Sequence, residues 1–189
     1  MEFLKESQHS FIQNEIWMLT FGAAFQRANI YNKTASEERR GYFKTMTRGF
    51  IENVVLDSYK TEKVSDEQHV ENIKKISEYS SNFSEIFQEG KINFGIAQKI
   101  LNLYLKYMWS LGHIEEPPHF PIDRIIQSKL IGHTRQLGIK PIALKPWTQF
   151  NDEKHYLEVI KSARDLILNN EYYAKHSLAE LELLLFDRR

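Results

Sequence analysis

The sequence predicts an all-α fold, a compact helical domain, and three observations carry that expectation. Alternating apolar and polar runs of strand type are missing, while apolar residues recur at spacings of three and four along most of the chain. The composition is 42% apolar and 13% aromatic with only 8 glycines and 5 prolines, which suits helices better than turns. Finally, Ser/Thr-x-x-Glu/Gln signatures precede several of the periodic stretches, as helix starts do. A chain of 189 residues fits one domain, 1–189, large enough to bury a core, with 131–189 as a candidate smaller lobe.

The elements follow in order. "FIQNEIWMLTFGAAFQRA" reads as the first helix. Thr34-x-x-Glu37 can cap a second, whose Tyr42, Phe43, Met46, Phe50 and Val54 mark one buried face. Ser65-x-x-Gln68 opens a third with Val70, Ile73 and Ile76 inward. "FGIAQKILNLYLKYMWSLG", residues 94–112, is the most apolar long stretch and reads as a central helix bracketed by Gly95 and Gly112. Gly112 can take the left-handed conformation that ends it. Pro117, Pro118 and Pro121 then forbid helix until Pro121 can serve as the first residue of a new one. The segment 131–150, with Gly132, Gly138, Pro141 and Pro146, reads as a long irregular connection able to cover a site. A helix from about Asp152 and a last one opened by Ser177-x-x-Glu180 complete the chain.

Several function classes are set aside. With no cysteine there is no disulfide, thiolate zinc site, iron–sulfur cluster or cysteine nucleophile. No basic leader or apolar run of transmembrane length is visible, so a soluble, cytoplasmic protein without membrane association is expected. Formal net charge is zero, which argues against coating nucleic acid by bulk attraction. The distribution is uneven, however. Between Pro121 and Trp147, Arg124, Lys129, Arg135, Lys140 and Lys145 face only Asp123, whereas Ser65 to Gly90 holds six acids against Lys74 and Lys75. One end of the molecule can meet a phosphate backbone while the other avoids it.

The central helix poses the sharpest question, because its spacing places Gly95, Gln98, Lys99, Asn102 and Lys106 on one face of an otherwise apolar rod. Either the lysines lay their stems along a partly exposed side, or the stripe lines a pocket. Here "GIAQK" at 95–99 resembles the hairpin of helix-hairpin-helix DNA glycosylases, and "FPIDRII" at 120–126 resembles their later approach to a catalytic aspartate at a helix start. The spacing is most similar to the 8-oxoguanine branch, although Ala97 stands where that hairpin has its second glycine. The longer run through "PWTQFND" is also similar to uncharacterised bacterial and prophage-associated proteins.

The glycosylase resemblance implies a helix-hairpin-helix element whose backbone holds a DNA phosphate. It also implies Lys99 as the amine that attacks the sugar carbon, with Asp123 stabilising the transition state, giving a DNA-repair glycosylase/AP lyase that acts on a flipped base. The chemistry suits these types: desolvation favours a neutral, nucleophilic amine, and a carboxylate at a helix N-terminus is held ionised by the dipole. Gly95, Gln98, Asn102, Lys106, His119, Trp109 and Trp147 are the expected substrate-binding residues, with Phe120 and Tyr107 as further aromatic candidates and Lys106 as an alternative amine. His113, His119, Asp123 and His133 lie close in sequence, but no metal spacing of HExxH type appears, so neither metal nor cofactor is expected. The alternative is a non-enzymatic nucleic-acid- or protein-binding helical module of a prophage or defence system.

Overall fold

A computed structural model describes residues 2–61 and 63–186, with side chains from Leu4 onward. Among these residues lie seven α-helices: α1 (Glu2–Phe25), α2 (Glu37–Phe50), α3 (Asp66–Tyr79), α4 (Phe94–Ser110), α5 (Arg124–Gln136), α6 (Lys154–Asn169) and α7 (Leu178–Leu185). No strand forms among the described residues, where the β-type pairing is an isolated antiparallel bridge between Tyr31 and Phe87. The all-α fold class is therefore as expected.

α4 is the central rod, with 12 of its 17 residues buried. It packs against α1 and α3 on one side and against a 3-10 turn at Trp147–Gln149 on another, while α5, α6 and α7 pack on one another. Trp17 of α1 stacks on Tyr104 of α4 with ring centroids 4.2 Å apart, a large apolar contact of the kind that dominates core energetics. Ser65 caps α3 as expected, and Ser177 and Glu180 form the full reciprocal capping box of α7.

Elsewhere the structure corrects the sequence reading. The cap of α2 is Ser36, not Thr34, so Glu37 becomes the first helical residue, where its charge meets the positive end of the helix dipole. The inner face of α2 and the π-type turn that continues it (Ile51–Val55) is Phe43, Thr47, Ile51 and Val55, whereas Tyr42, Met46 and Val54 are exposed. Tyr42 instead lies under the Arg39 guanidinium, 5.7 Å from the ring centroid. α1 begins at Glu2, well before Phe11. Pro121 does not start α5; Asp123 caps it and Arg124 is its first residue. The helix then runs through Gly132 to Gln136, because buried Ile126, Leu130 and Thr134 hold it and one interior glycine costs only about 1 kcal/mol. The irregular connection is consequently 137–146. Gly112 (φ 73°) and Gly138 (φ 70°) terminate α4 and α5 in the left-handed region.

Candidate functional site

Every polar residue of the α4 stripe is turned inward and meets a polar group of another segment, although Asn102 Oδ1 and Lys106 Nζ make no hydrogen bond. Gln98 is fully buried and clasps the backbone of Ile122, donating from Nε2 to its carbonyl (2.9 Å) and accepting its N–H at Oε1 (3.2 Å). That two-bond amide pairing fastens Ile122 to α4 and delivers the next residue, Asp123, to the same helix. One Asp123 oxygen accepts the N–H groups of Ile125 (2.9 Å) and Ile126 (3.0 Å), capping α5, and the other lies 2.8 Å from Lys99 Nζ. Lys99 Nζ also sits 5.4 Å from the centroid of the Trp147 ring. Lys99, Asp123 and Trp147 are thus brought together, as a charge-assisted pair beside an aromatic wall.

Deeper inside, Asn102 Nδ2 donates to Gln98 Oε1 (3.2 Å) and to the Tyr156 hydroxyl (3.1 Å), whose proton is left to go to His119 Nδ1 at 2.9 Å. The other His119 nitrogen lies 3.2 Å from Asp66 Oδ1, and Asp66 in turn takes the Arg164 guanidinium at 2.6 Å. His69 packs edge-on against His119, with 4.8 Å between centroids, and pairs through Nδ1 with the Tyr59 hydroxyl at 2.8 Å. A buried polar cluster therefore gathers α3, α4, α6 and the proline segment, with Asn102 Oδ1, His69 Nε2 and His119 Nε2 left without a hydrogen-bond partner. Clusters of this kind fix a unique core only when nearly every member is satisfied.

Lys106 has a different partner. Its Nζ is 2.6 Å from Glu182 of α7, outside hydrogen-bond geometry, and 3.8 Å from the centroid of the Phe186 ring. Both side chains are largely buried, 12% and 6% exposed, and Glu182 feels the charges of Asp123 and Lys99. Trp109 packs against the apolar core, and no contact ties it to the Lys99–Asp123 pair. Phe120 is core.

Gly95 is required by packing. A Cβ there would lie 1.7 Å from the Trp147 carbonyl oxygen, and its N–H is spent on Phe150 O at 2.9 Å. Ile96 and Ala97 N–H groups are taken by Asn93 Oδ1 (3.0 Å) and Asn93 O (3.1 Å). The first-turn amides that the resemblance assigns to a phosphate are thus satisfied within the chain.

Electrostatics follow from this burial. At Asp123 burial pushes the carboxyl up, but the Lys99 charge, its hydrogen bond and the two backbone donors together hold it below the usual carboxylate range. Burial raises Glu182 despite Lys106. Burial, with the Arg164 charge adding to it, drives His119 down to about 3. Burial and neighbouring His119 push His69 well below the ordinary range, opposed by Asn102 and Asp66. Burial moves the Tyr59 and Tyr156 hydroxyls upward against hydrogen bonds from Asn72 and Asn102 respectively. The arrangement suits neutral imidazoles and phenols at neutral pH.

α5 and the segment after it present the opposite picture. Ile126, Gln127, Leu130 and Thr134 face inward, leaving Arg124, Ser128, Gly132 and Arg135 along the outward row, all exposed. Gln127 repeats the device of Gln98, clasping Lys145 through Nε2 to its carbonyl (2.9 Å) and Oε1 from its N–H (3.2 Å), and so fastens the 137–146 segment beside the row. Arg124, Arg135, Lys140 and Lys145 form no ion pair among the described residues, while Lys129 donates to the Leu185 carbonyl.

Gln127 and His69 went unmarked in the sequence. His69 shares helical spacing with Ile73 and Ile76, a signal of an inward imidazole, whereas nothing in the sequence announces the clasp by Gln127. The four residues weighed as metal ligands are dispersed: His113 meets the His9 ring and His133 the Tyr173 ring, and among the described residues no group of three or more His, Asp or Glu is placed to hold a metal ion. No helix among the described residues is long and apolar enough to cross a membrane. No family model, curated protein or solved structure matches the chain.

Proposed function

We propose that the protein is a non-enzymatic helical module that binds nucleic acid through the outward row of α5 and the segment after it. The observation that carries this reading is the set of four cations, Arg124, Arg135, Lys140 and Lys145, that pair with no acid among the described residues, grouped on one helix and the loop clasped beside it. Small Ser128 and Gly132 between the two arginines let a phosphate backbone approach the helix closely, with nothing within 4 Å of where a Gly132 Cβ would stand. Contacts of this type are to phosphates and carry little sequence information. The test is fluorescence anisotropy with a labelled 20-mer as duplex DNA, single-stranded DNA and RNA. About four phosphate contacts predict roughly a hundredfold weaker duplex binding at 200 mM than at 50 mM salt. Exchange of Arg124 and Arg135 for Ser is expected to lower the salt slope by about two. No binding up to about 100 µM protein, the weak limit for non-specific association, overturns the reading.

The glycosylase/AP lyase reading rests on a separate observation, the 2.8 Å approach of Lys99 Nζ to Asp123, with the indole N–H of Trp147 buried beside them without an acceptor. Weighing against it are the occupied amine and the spent amides of Gly95, Ile96 and Ala97. Borohydride trapping with abasic-site DNA distinguishes the two readings. A covalent adduct lost in Lys99→Gln and kept in Lys106→Gln supports the lyase, and binding without an adduct supports the module.

A further inference from the structure

α1 has two apolar faces, and the protomer covers one of them. Gln13, Ile16, Trp17, Thr20, Phe21 and Ala24 form the inner face. Diametrically opposite, Leu4, Phe11 and Met18 are each 61% exposed and recur every seven residues, flanked by Ile12 and Leu19 at 44% and 40%. Residues 4–12 are exposed without a break, with His9 meeting the His113 ring at 6.0 Å between centroids. A helix apolar on opposite sides is normally covered on both.

We infer that the outer face of α1 packs antiparallel against the same face of a second copy of this chain. The charge pattern selects this occupant and orientation. Lys5 and Glu15 border the face, ten residues apart, and neither makes an ion pair among the described residues. A two-fold axis passing at Phe11 sets Leu4 against the partner subunit's Met18 and Phe11 against the partner's Phe11. It also brings Lys5 within about 3 Å, along the helix axis, of the partner's Glu15. A parallel pairing would set Lys5 beside Lys5 and Glu15 beside Glu15. The repeat of seven keeps the three large side chains on one seam about 21 Å long. Because the face lies on α1, self-association is independent of the function of α5; it would double the number of basic rows presented to a polyanion.

Sedimentation equilibrium of the full chain tests the inference. A concentration-dependent dimer is expected, with Phe11→Glu weakening it more than tenfold while far-UV circular dichroism shows a folded protein. Met18→Lys serves as a second disruptive variant. Lys5→Glu and Glu15→Lys should each weaken the dimer about twofold to fivefold, and the two together should restore it, a rescue that only the antiparallel arrangement gives. A monomer throughout the concentration range overturns the inference, as does a dimer indifferent to Phe11→Glu. A monomer that co-sediments with phosphatidylcholine/phosphatidylglycerol vesicles through Phe11 also overturns it and assigns the face to a lipid surface.

Discussion

The lysines of α4 and the arginines of α5 are the same kind of charge in opposite circumstances. Lys99 and Lys106 sit in the most apolar stretch of the chain and look, in sequence, like groups held there for chemistry. In the fold each meets a carboxylate, Asp123 or Glu182, and each is turned toward an aromatic ring. Arg124 and Arg135 look like ordinary solvated residues, and they are among the cations that form no ion pair with the described residues. An anomalous position marks where a charge is committed to architecture, and an unremarkable one can mark where it is free for a partner.

That contrast can be broken at its buried end first. Lys106→Met leaves Glu182 unpaired in the interior and is expected to cost about 3–5 kcal/mol in urea denaturation, whereas Lys106→Met with Glu182→Leu should come out near neutral or more stable. A mild single-variant effect would mean the pair is more solvated than its exposure implies. Acid comes next. His69 and His119 have depressed folded-state values, so the unfolded chain takes up protons first. Their stabilisation is complete above the ordinary histidine value near 6.5 and is lost as pH falls toward about 3 for His119. At pH 5 the loss should reach about 2–4 kcal/mol, checked by melting temperature against pH. His119→Gln should flatten part of that slope. Asp123, held low, adds its own loss as pH falls below the ordinary carboxylate value, whereas Glu182, held high, acts in the opposite sense and in a higher window, stability rising as pH falls from its raised value to the ordinary one.

Gly95→Ala is expected to cost about 1–3 kcal/mol, because the added methyl meets backbone at Trp147 rather than a side chain that can swing away. The smallest effect belongs to the outer end. Arg124→Ser and Arg135→Ser should each change stability by no more than about 0.5 kcal/mol, although the same substitutions carry the predicted change in nucleic-acid affinity. Stability losses comparable to Lys106→Met would erase the distinction between the two regions.

Local rules made much of the fold legible. Ser65, Ser177 and Gly112 act over three or four residues, and periodicity alone yields the inward Val70, Ile73 and Ile76. The same rules misplaced the α2 face, because Tyr42 and Met46 are larger and more apolar than Thr47, and only tertiary packing decides that a threonine goes inside. At the candidate site the stripe itself was readable, since Gly95, Gln98, Lys99, Asn102 and Lys106 obey one helical period. Their partners were not. Ile122, Asp123, Tyr156 and Glu182 arrive from separate segments, and the clasp of Gln98 on a backbone amide leaves no trace in residue type.

Among the described residues, Asp66 is the carboxylate that touches both Arg164 at the surface and the fully buried His119. It is thus the expected point of entry for isotopic label from the medium to the interior hydroxyl and imidazole protons. In heavy water, resonances from Tyr156 and His119 should persist long after surface signals vanish, and Asp66→Asn should change their lifetime without reshaping the helices around them.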